Sequence, residues 1–455
     1  MTAPEISQQS LADIIRSLDQ SILNDPSLDP DLFSHLTTSQ RKLGLLQGER
    51  PTCPFLRPHI LARSQYTAIT RAAETIAKAF EKLVGEALVD DDLFSVLGLT
   101  EAEARVARID PGYPRLCVTS RLDAYLTDTE FRFLEYNAES PAGVGDQMQL
   151  EKLLFPLEHI QAFLNLYQTW TPRPHEQLLK TLIDTYRAWG GEEAKPQIAI
   201  VDWKGVPTES EFAVLRRFFE AEGYQTVVVD PHELDFDGTH LSAADFRIDI
   251  VYKRVIIHEF LERFDERHPL IRAYADRRVC VANSFRAKAA HKKAGFAVLS
   301  DPNYRELFDQ EELATIGRHI PWTRNVRPGK TYFEGAEHDL LELIRSERQR
   351  MVLKPNDDYG GHGVFLGWVM DDTDWKGALE LAQTKPYVVQ ERAPSQKVSL
   401  PTFHEGLRQE ELYIDFNPFL FNNRAEGALI RLSSSALLNV TSGGGETALL
   451  VLEGM

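Results

Sequence analysis

Val352-Leu353-Lys354-Pro355-Asn356-Asp357-Asp358-Tyr359-Gly360-Gly361-His362-Gly363-Val364 is the stretch of this sequence from which its architecture is most directly read. An apolar run ends on a lysine and a glycine-rich turn follows. That order can bring one ammonium and several bare backbone N–H groups onto phosphate oxygens. The spacing is neither a Walker loop nor a GxGxxG fingerprint. A plain hairpin turn, with glycines supplying positive φ, would produce the same residues.

Downstream, Pro386-Tyr387-Val388-Val389-Gln390-Glu391-Arg392 reads as a buried strand with a polar end. Backbone groups there can meet an adenine edge and a carboxylate a sugar hydroxyl; by itself the segment is simply a strand end. More strands are expected around Asp415 and Arg431. A serine run and Asn439-Val440-Thr441-Ser442-Gly443-Gly444-Gly445-Glu446 follow, either a loop over a ligand or a flexible connection. Upstream of Lys354 a basic helix is expected around Lys288 to Lys293. His291 and His362 lie at no metal-ligand spacing from another His or Cys and read as ordinary histidines.

Toward the N-terminus, Gln197 to Asp202 reads as a short strand. Thr208-x-x-Glu211 has the capping-box pattern, opening a helix with Phe212, Leu215 and Phe219 inward and Gly223 as its stop. Tyr224 to Asp230 completes a parallel βαβ unit. Before it, Leu116 to Leu126 and Glu130 to Asn137 form a hairpin around Thr127, Asp128 and Thr129. Phe131, Phe133, Glu135 and Asn137 share one parity, which places them on one sheet face. Glu135 and Asn137 are then hard oxygen ligands of the kind that hold Mg²⁺ beside phosphates, and Asp358 offers a third; the plain alternative is a solvated strand face. On the partner strand Arg121 and Asp123 repeat the spacing. The Arg121 fork could hold a carboxylate or an oxyanion, or form a structural ion pair with Asp123 or Glu135.

The first quarter of the chain is helical by its period: Leu11, Ile14, Ile15, Leu18 and Ile22, then Ile69, Ala73, Ile76, Phe80, Leu83 and Ala87. Gly48 to Pro58, with three prolines, is an irregular connector between those helices. At roughly 150 residues per domain the 455 residues make about three units. An apolar content of 43% with 10% aromatics excludes a disordered chain. A net charge of −18 argues against nucleic acid as a partner. Cys53, Cys117 and Cys280 contain no close pair, so neither a disulfide framework nor a thiolate zinc site is expected. No basic start with an apolar block and no long apolar run is present, so a cytoplasmic protein with no membrane partner is expected, and the Asn439 sequon reads as loop.

Taken in chain order, these segments resemble the eukaryotic-type glutathione synthetase and glutathionylspermidine synthase group, whose ATP-grasp fold is circularly permuted (type 2). The resemblance rests on Ser120-Arg121-Leu122-Asp123, Phe133-Leu134-Glu135-Tyr136-Asn137, Ile200-Val201-Asp202-Trp203, Asn283-Ser284-Phe285-Arg286-Ala287-Lys288, Leu353-Lys354-Pro355 with its glycine loop, Val389-Gln390-Glu391 and Arg431, and covers roughly residues 110 to 455. It implies an α/β (α+β) fold in four parts. These are a helical N-terminal region at 1–110, a first ATP-grasp part at 111–195, an inserted parallel α/β substrate domain at 196–282, and the main ATP-grasp part with glycine-rich lid loops at 283–455.

The same resemblance implies ATP and Mg²⁺ as cofactors. Glu135, Asn137 and Asp358 would hold the metal. Lys354 would hold the phosphates beneath Gly360, Gly361 and Gly363, with a second lysine from Lys292 or Lys293, whose register is open. Gln390 and Glu391 would mark the adenine hinge, Arg121 would face the reacting carboxylate, and Arg431 would bind substrate. The expected activity is a carbon–nitrogen ligase joining a small carboxylic acid to an amine through an acyl phosphate. The alternatives are an ATP-binding regulatory or accessory protein without ligation, or a small-molecule phosphotransferase. Ser433 stands where a second basic residue would help hold glutathione, which speaks against glutathione as substrate. The sequence does not give the oligomeric state; a homodimer is the commonest one for such enzymes.

Overall fold

The structure is a computed structural model, and it describes residues 10–127, 129–358, 360–403, 406–435 and 444–454. The Asn439 sequon, most of the C-terminal glycine segment, Asp128 of the hairpin turn and Tyr359 of the glycine loop lie outside the described residues. Among the described residues no helix is long and apolar enough to cross a membrane. Cys53, Cys117 and Cys280 are all free and buried.

Among the described residues the three largest sheets, two antiparallel and one parallel, position the site. In the largest sheet the order is Gly445–Thr447, Arg424–Ser433, Arg408–Phe421, Thr119–Leu126 and Phe131–Asn137, with Lys397–Thr402 also paired to Arg408–Phe421. Thr119–Leu126 and Phe131–Asn137 form the expected hairpin, closed by Thr127 N donating to Glu130 O. One face of the hairpin packs Leu122, Ala124, Phe133 and Tyr136 against the 25-residue helix Arg63–Ala87. That helix buries Ile69, Ala73, Ile76, Phe80, Leu83 and Ala87, the positions marked by its 3.6-residue period.

The parity expected of the second hairpin strand is overturned. Asp123 pairs with Glu135 but Ala124 pairs with Phe133, so Leu134 is an extra residue and the strand bulges there. Phe133 consequently faces the helical core, while Glu135 and Asn137 face the opposite way, into a cavity. Without the bulge, alternation would have put all three on one face.

The second antiparallel sheet has the order Thr323–Asn325, Tyr387–Glu391, Met351–Pro355, Phe365–Leu366. The parallel sheet, Cys280–Ala282, Ile250–Lys253, Ile198–Val201, Thr226–Val229, contains the βαβ unit, with Glu209–Ala221 as its crossover helix. The capping box at that helix does not form. Thr208 makes no side-chain cap, and Glu211 accepts from the backbone N–H of Gly143 and Val144 at 3.0 and 2.9 Å, which ties the crossover helix to another segment. The basic helix is two short ones, Ala287–His291 and Ala294–Leu299, broken at Lys292 and Lys293. Nor is the N-terminal region wholly helical. Leu46–Gln47 pairs with Arg50–Pro51, and His59–Ala62 runs parallel to Leu449–Leu452, joining the two ends of the chain.

Asn283, with no exposed surface, clasps the parallel unit to the hairpin. Its Oδ1 accepts from Val118 N and Thr119 N at 2.6 and 3.0 Å, and its Nδ2 donates to Thr119 O, Ala138 O and Glu139 O at 2.6, 2.8 and 3.0 Å. A side chain that satisfies five buried backbone groups cannot be truncated without orphaning them. Asn283→Ala should therefore lower the free energy of unfolding by about 2–4 kcal/mol, as read from urea denaturation.

Candidate functional site

A cavity of about 910 Å³ lies against the inner face of the large sheet. Its walls come from the strands ending at Lys354 and Glu391, the glycine loop, and the C-terminal ends of two parallel strands at Asp202 and Arg254. The sheet floor carries a row of charges set by strand register: Glu446 opposite Arg431, Arg431 opposite Asp415, and on the hairpin Asp123 opposite Glu135 and Arg121 opposite Asn137.

Asp123 is the hub of the row. Arg121 donates to it through Nε and Nη2 at 2.7 and 3.1 Å, and Arg431 through Nη2 at 2.7 Å. Burial pushes the Asp123 carboxyl up, but the two guanidiniums outweigh it and hold it at about 2. Arg431 also grips Asp415 at 2.6 Å, and Arg121 Nη1 donates to Ala142 O at 2.8 Å. Of the two readings of Arg121, the ion pair with Asp123 is thus present, at the cavity wall.

At the other end of the row Lys354 donates to Gln390 Oε1 at 2.7 Å and to Leu134 O at 3.2 Å. Burial brings its ammonium down to about 8, the charge of Glu135 only partly opposing this. Lys293 reaches the cavity as well, on Glu135 Oε1 at 2.9 Å and the Asp358 carbonyl at 2.7 Å. Burial raises Glu135, yet the Lys293 charge leaves it below the usual range. Lys292 does not line the cavity: it is 3% exposed and bonded to Glu103 and Asp357. Gly360, Gly361 and Gly363 adopt φ of 67°, 77° and 64°, the left-handed region that bars side chains and so explains three glycines in four positions. Gly360 and Gly361 line the cavity; Gly363 instead accepts the Tyr387 hydroxyl on its carbonyl at 3.1 Å.

At the expected hinge Tyr387–Glu391 is an interior strand, with Glu391 N and Arg392 N bonded to Trp322 O and Arg350 O, and Gln390, Glu391 and Arg392 line the cavity. Gln390 spends its amide on Lys354 and Thr323, and the Glu391 carboxylate lies 2.7 Å from Arg350.

For Mg²⁺ the donor set is chemically apt. Glu135 and Asp358 are carboxylates at the cavity wall, and Asn137 uses its Nδ2 on Asp123 at 3.1 Å, which leaves its carbonyl oxygen for a cation. Glu139, His291 and Asp357 also lie close enough together to hold an ion, but Lys288 Nζ already stands 2.9 and 2.7 Å from the two carboxylates, so a lysine fills the cation's place.

Sequence reading had no means of pairing Asp146 with Glu446, 300 positions apart, at a third wall of the cavity. Burial, then the charges of Glu446 and Glu211, push Asp146 well above the usual carboxylate range; burial raises Glu446 too, against a hydrogen bond from Thr52.

No family model matches the chain and no curated protein does. Among solved structures it is similar to a glutathione synthetase-like effector of Globodera pallida, at 13% identity over 94% of this chain and 97% of that one, with a TM-score of 0.58. Looser overlaps are with a protein described as a gamma-glutamylcysteine synthetase of Methylobacillus flagellatus (10% identity, 86% and 89% coverage, TM-score 0.44) and with a RimK domain ATP-grasp protein of Sphaerobacter thermophilus (17%, 56% and 90%, 0.28). The first likeness shows the fold alone: the chain shares the mixed α and β architecture of that effector over nearly its whole length.

The raised Asp146 carboxyl sets a pH dependence. Its folded value exceeds its unfolded one, so the folded state keeps a proton that the unfolded chain releases above about pH 4, and stability falls as pH rises toward the folded value. Asp146→Asn cannot titrate. It should melt above the wild type by a margin that widens from pH 5 to pH 8 in calorimetric scans.

Proposed function

We propose that this chain is an ATP- and Mg²⁺-dependent carboxylate–amine ligase that forms an amide through an acyl phosphate, on a circularly permuted ATP-grasp fold resembling glutathionylspermidine synthases. The observation that carries the reading is one cavity with two lysines and a glycine loop at one end and two arginines bridged by Asp123 on its floor. The chain order of hairpin, parallel unit at 196–282, Lys354 strand and Arg431 strand supports the permuted arrangement.

Glu135, Asn137 and Asp358 would hold Mg²⁺, which when bound would neutralise phosphate oxygens of ATP, the donor of the phosphoryl group that activates the acid. Lys354 and Lys293 place fixed positive charge where phosphate oxygens lie, and preorganised charge of this kind is the main lever in phosphoryl transfer. The N–H groups of the glycine loop add donors and, closed over the site, keep water from the activated acid. Arg121, steadied by Asp123 and Ala142, orients the substrate carboxylate and faces the oxyanion formed when the amine attacks. Arg431 holds the substrate beside it. The substrates are a small carboxylic acid and an amine.

Calorimetric titration with a non-hydrolysable ATP analogue tests the nucleotide half. Mg²⁺-dependent binding is expected, and Lys354→Ala or Glu135→Ala should weaken it by about 100-fold or more while the fold persists by circular dichroism. Full binding by a folded Lys354→Ala protein would sink the phosphate role. With acids and amines supplied, ADP release together with amide formation is expected. ADP without amide would mark a phosphotransferase, and binding without turnover an accessory protein.

A further inference from the structure

The base of the glycine loop is held by the N-terminal region of the chain. Asn356 Nδ2 donates to Leu97 O at 2.8 Å, its Oδ1 accepts from Ala294 N at 2.8 Å, and its carbonyl accepts from Lys293 N at 3.0 Å. Beside it the Asp357 carboxylate lies 2.6 Å from Lys292 and 2.7 Å from Lys288. The other partner of Lys292 is Glu103, at 2.9 Å, on the helix Glu101–Arg108. Glu103 is 1% exposed and Lys292 3%, so neither is screened by solvent.

Lys292 and Lys293 are neighbours at a helix break, Lys292 extended and Lys293 opening the next helix, and of the two Lys293 faces the cavity. By type they are interchangeable: either ammonium would suit Glu135 or a phosphate. What distinguishes them is the buried carboxylate of Glu103, which has Lys288 at 3.6 Å and draws a second, closer ammonium to 2.9 Å. It takes Lys292, and Lys293 is left turned inward, on Glu135 and the Asp358 carbonyl.

We propose that Glu103 is a positioning residue of the nucleotide site. It selects which lysine enters the cavity and, through Lys292 and Asp357, fixes the base of the glycine loop. The helical N-terminal region is thereby a working part of phosphate binding. The inference rests on the nucleotide reading above and adds a residue that touches neither phosphate nor metal.

The test is calorimetric binding of the non-hydrolysable ATP analogue with Mg²⁺, and of adenosine, which lacks phosphates. Glu103→Gln keeps the shape and an acceptor for Thr100 N, which Glu103 caps, but loses the charge. Because Glu103→Gln leaves buried Lys292 with Asp357 as its carboxylate partner, one charge fewer than in the wild type, a second protein combines Glu103→Leu with Lys292→Met, removing the pair as a unit while Asp357 retains Lys288. In both, the analogue should bind about tenfold more weakly and adenosine as in the wild type. Unchanged analogue binding in either folded variant would overturn the proposal. So would equal weakening of both ligands, which would mean a structural role only. A wild type that binds no analogue would take down the nucleotide reading itself, and this inference with it.

Discussion

The Asp123 carboxylate holds two guanidiniums, buried Arg121 from its own strand and partly buried Arg431 from a strand two places away, and the site is arranged around that bridge. Each of these ions left alone in the sheet would cost several kcal/mol. Asp415 supplies the second negative charge, so two arginines meet two aspartates and the floor is neutral at its centre.

The opposite face of the sheet explains how the floor can be so polar. The long helix Arg63–Ala87 covers the hairpin with Phe80, Ile76 and Leu83 against Phe133, Tyr136 and Leu122. That apolar seam holds the strand positions while the inner face is spent on ions. Strand His59–Ala62 pairs with Leu449–Leu452, so the first hundred residues are built into the same body as the last ten. Their contact with the glycine loop through Leu97 and Glu103 is a consequence of that packing.

Several particulars were legible in the sequence because their physics is local. The hairpin, the 3.6-residue stripe of the long helix, the βαβ unit and the glycines of the loop follow from period, turn chemistry and positive φ. Where a pattern serves two purposes the local reading fails. Thr208 and Glu211 have capping-box spacing, yet Glu211 is drawn to the N–H groups of Gly143 and Val144.

The chain's own pattern determined which residue types could form the site: Arg121, Glu135, Asn137, Lys354, Asp358 and Arg431 all come to one cavity wall. Tertiary structure decided the rest. Leu134 is extruded as a bulge because Phe133 must reach the helical core while Glu135 turns to the cavity, a conflict invisible to strict alternation. Lys293 rather than Lys292 faces inward because Glu103, 189 positions from Lys292, takes the other ammonium. The Asp146 carboxyl is pushed above its usual range because the fold buries it and brings Glu446 beside it. Each outcome turns on the charge or volume of a residue distant in sequence, which no window along the chain contains.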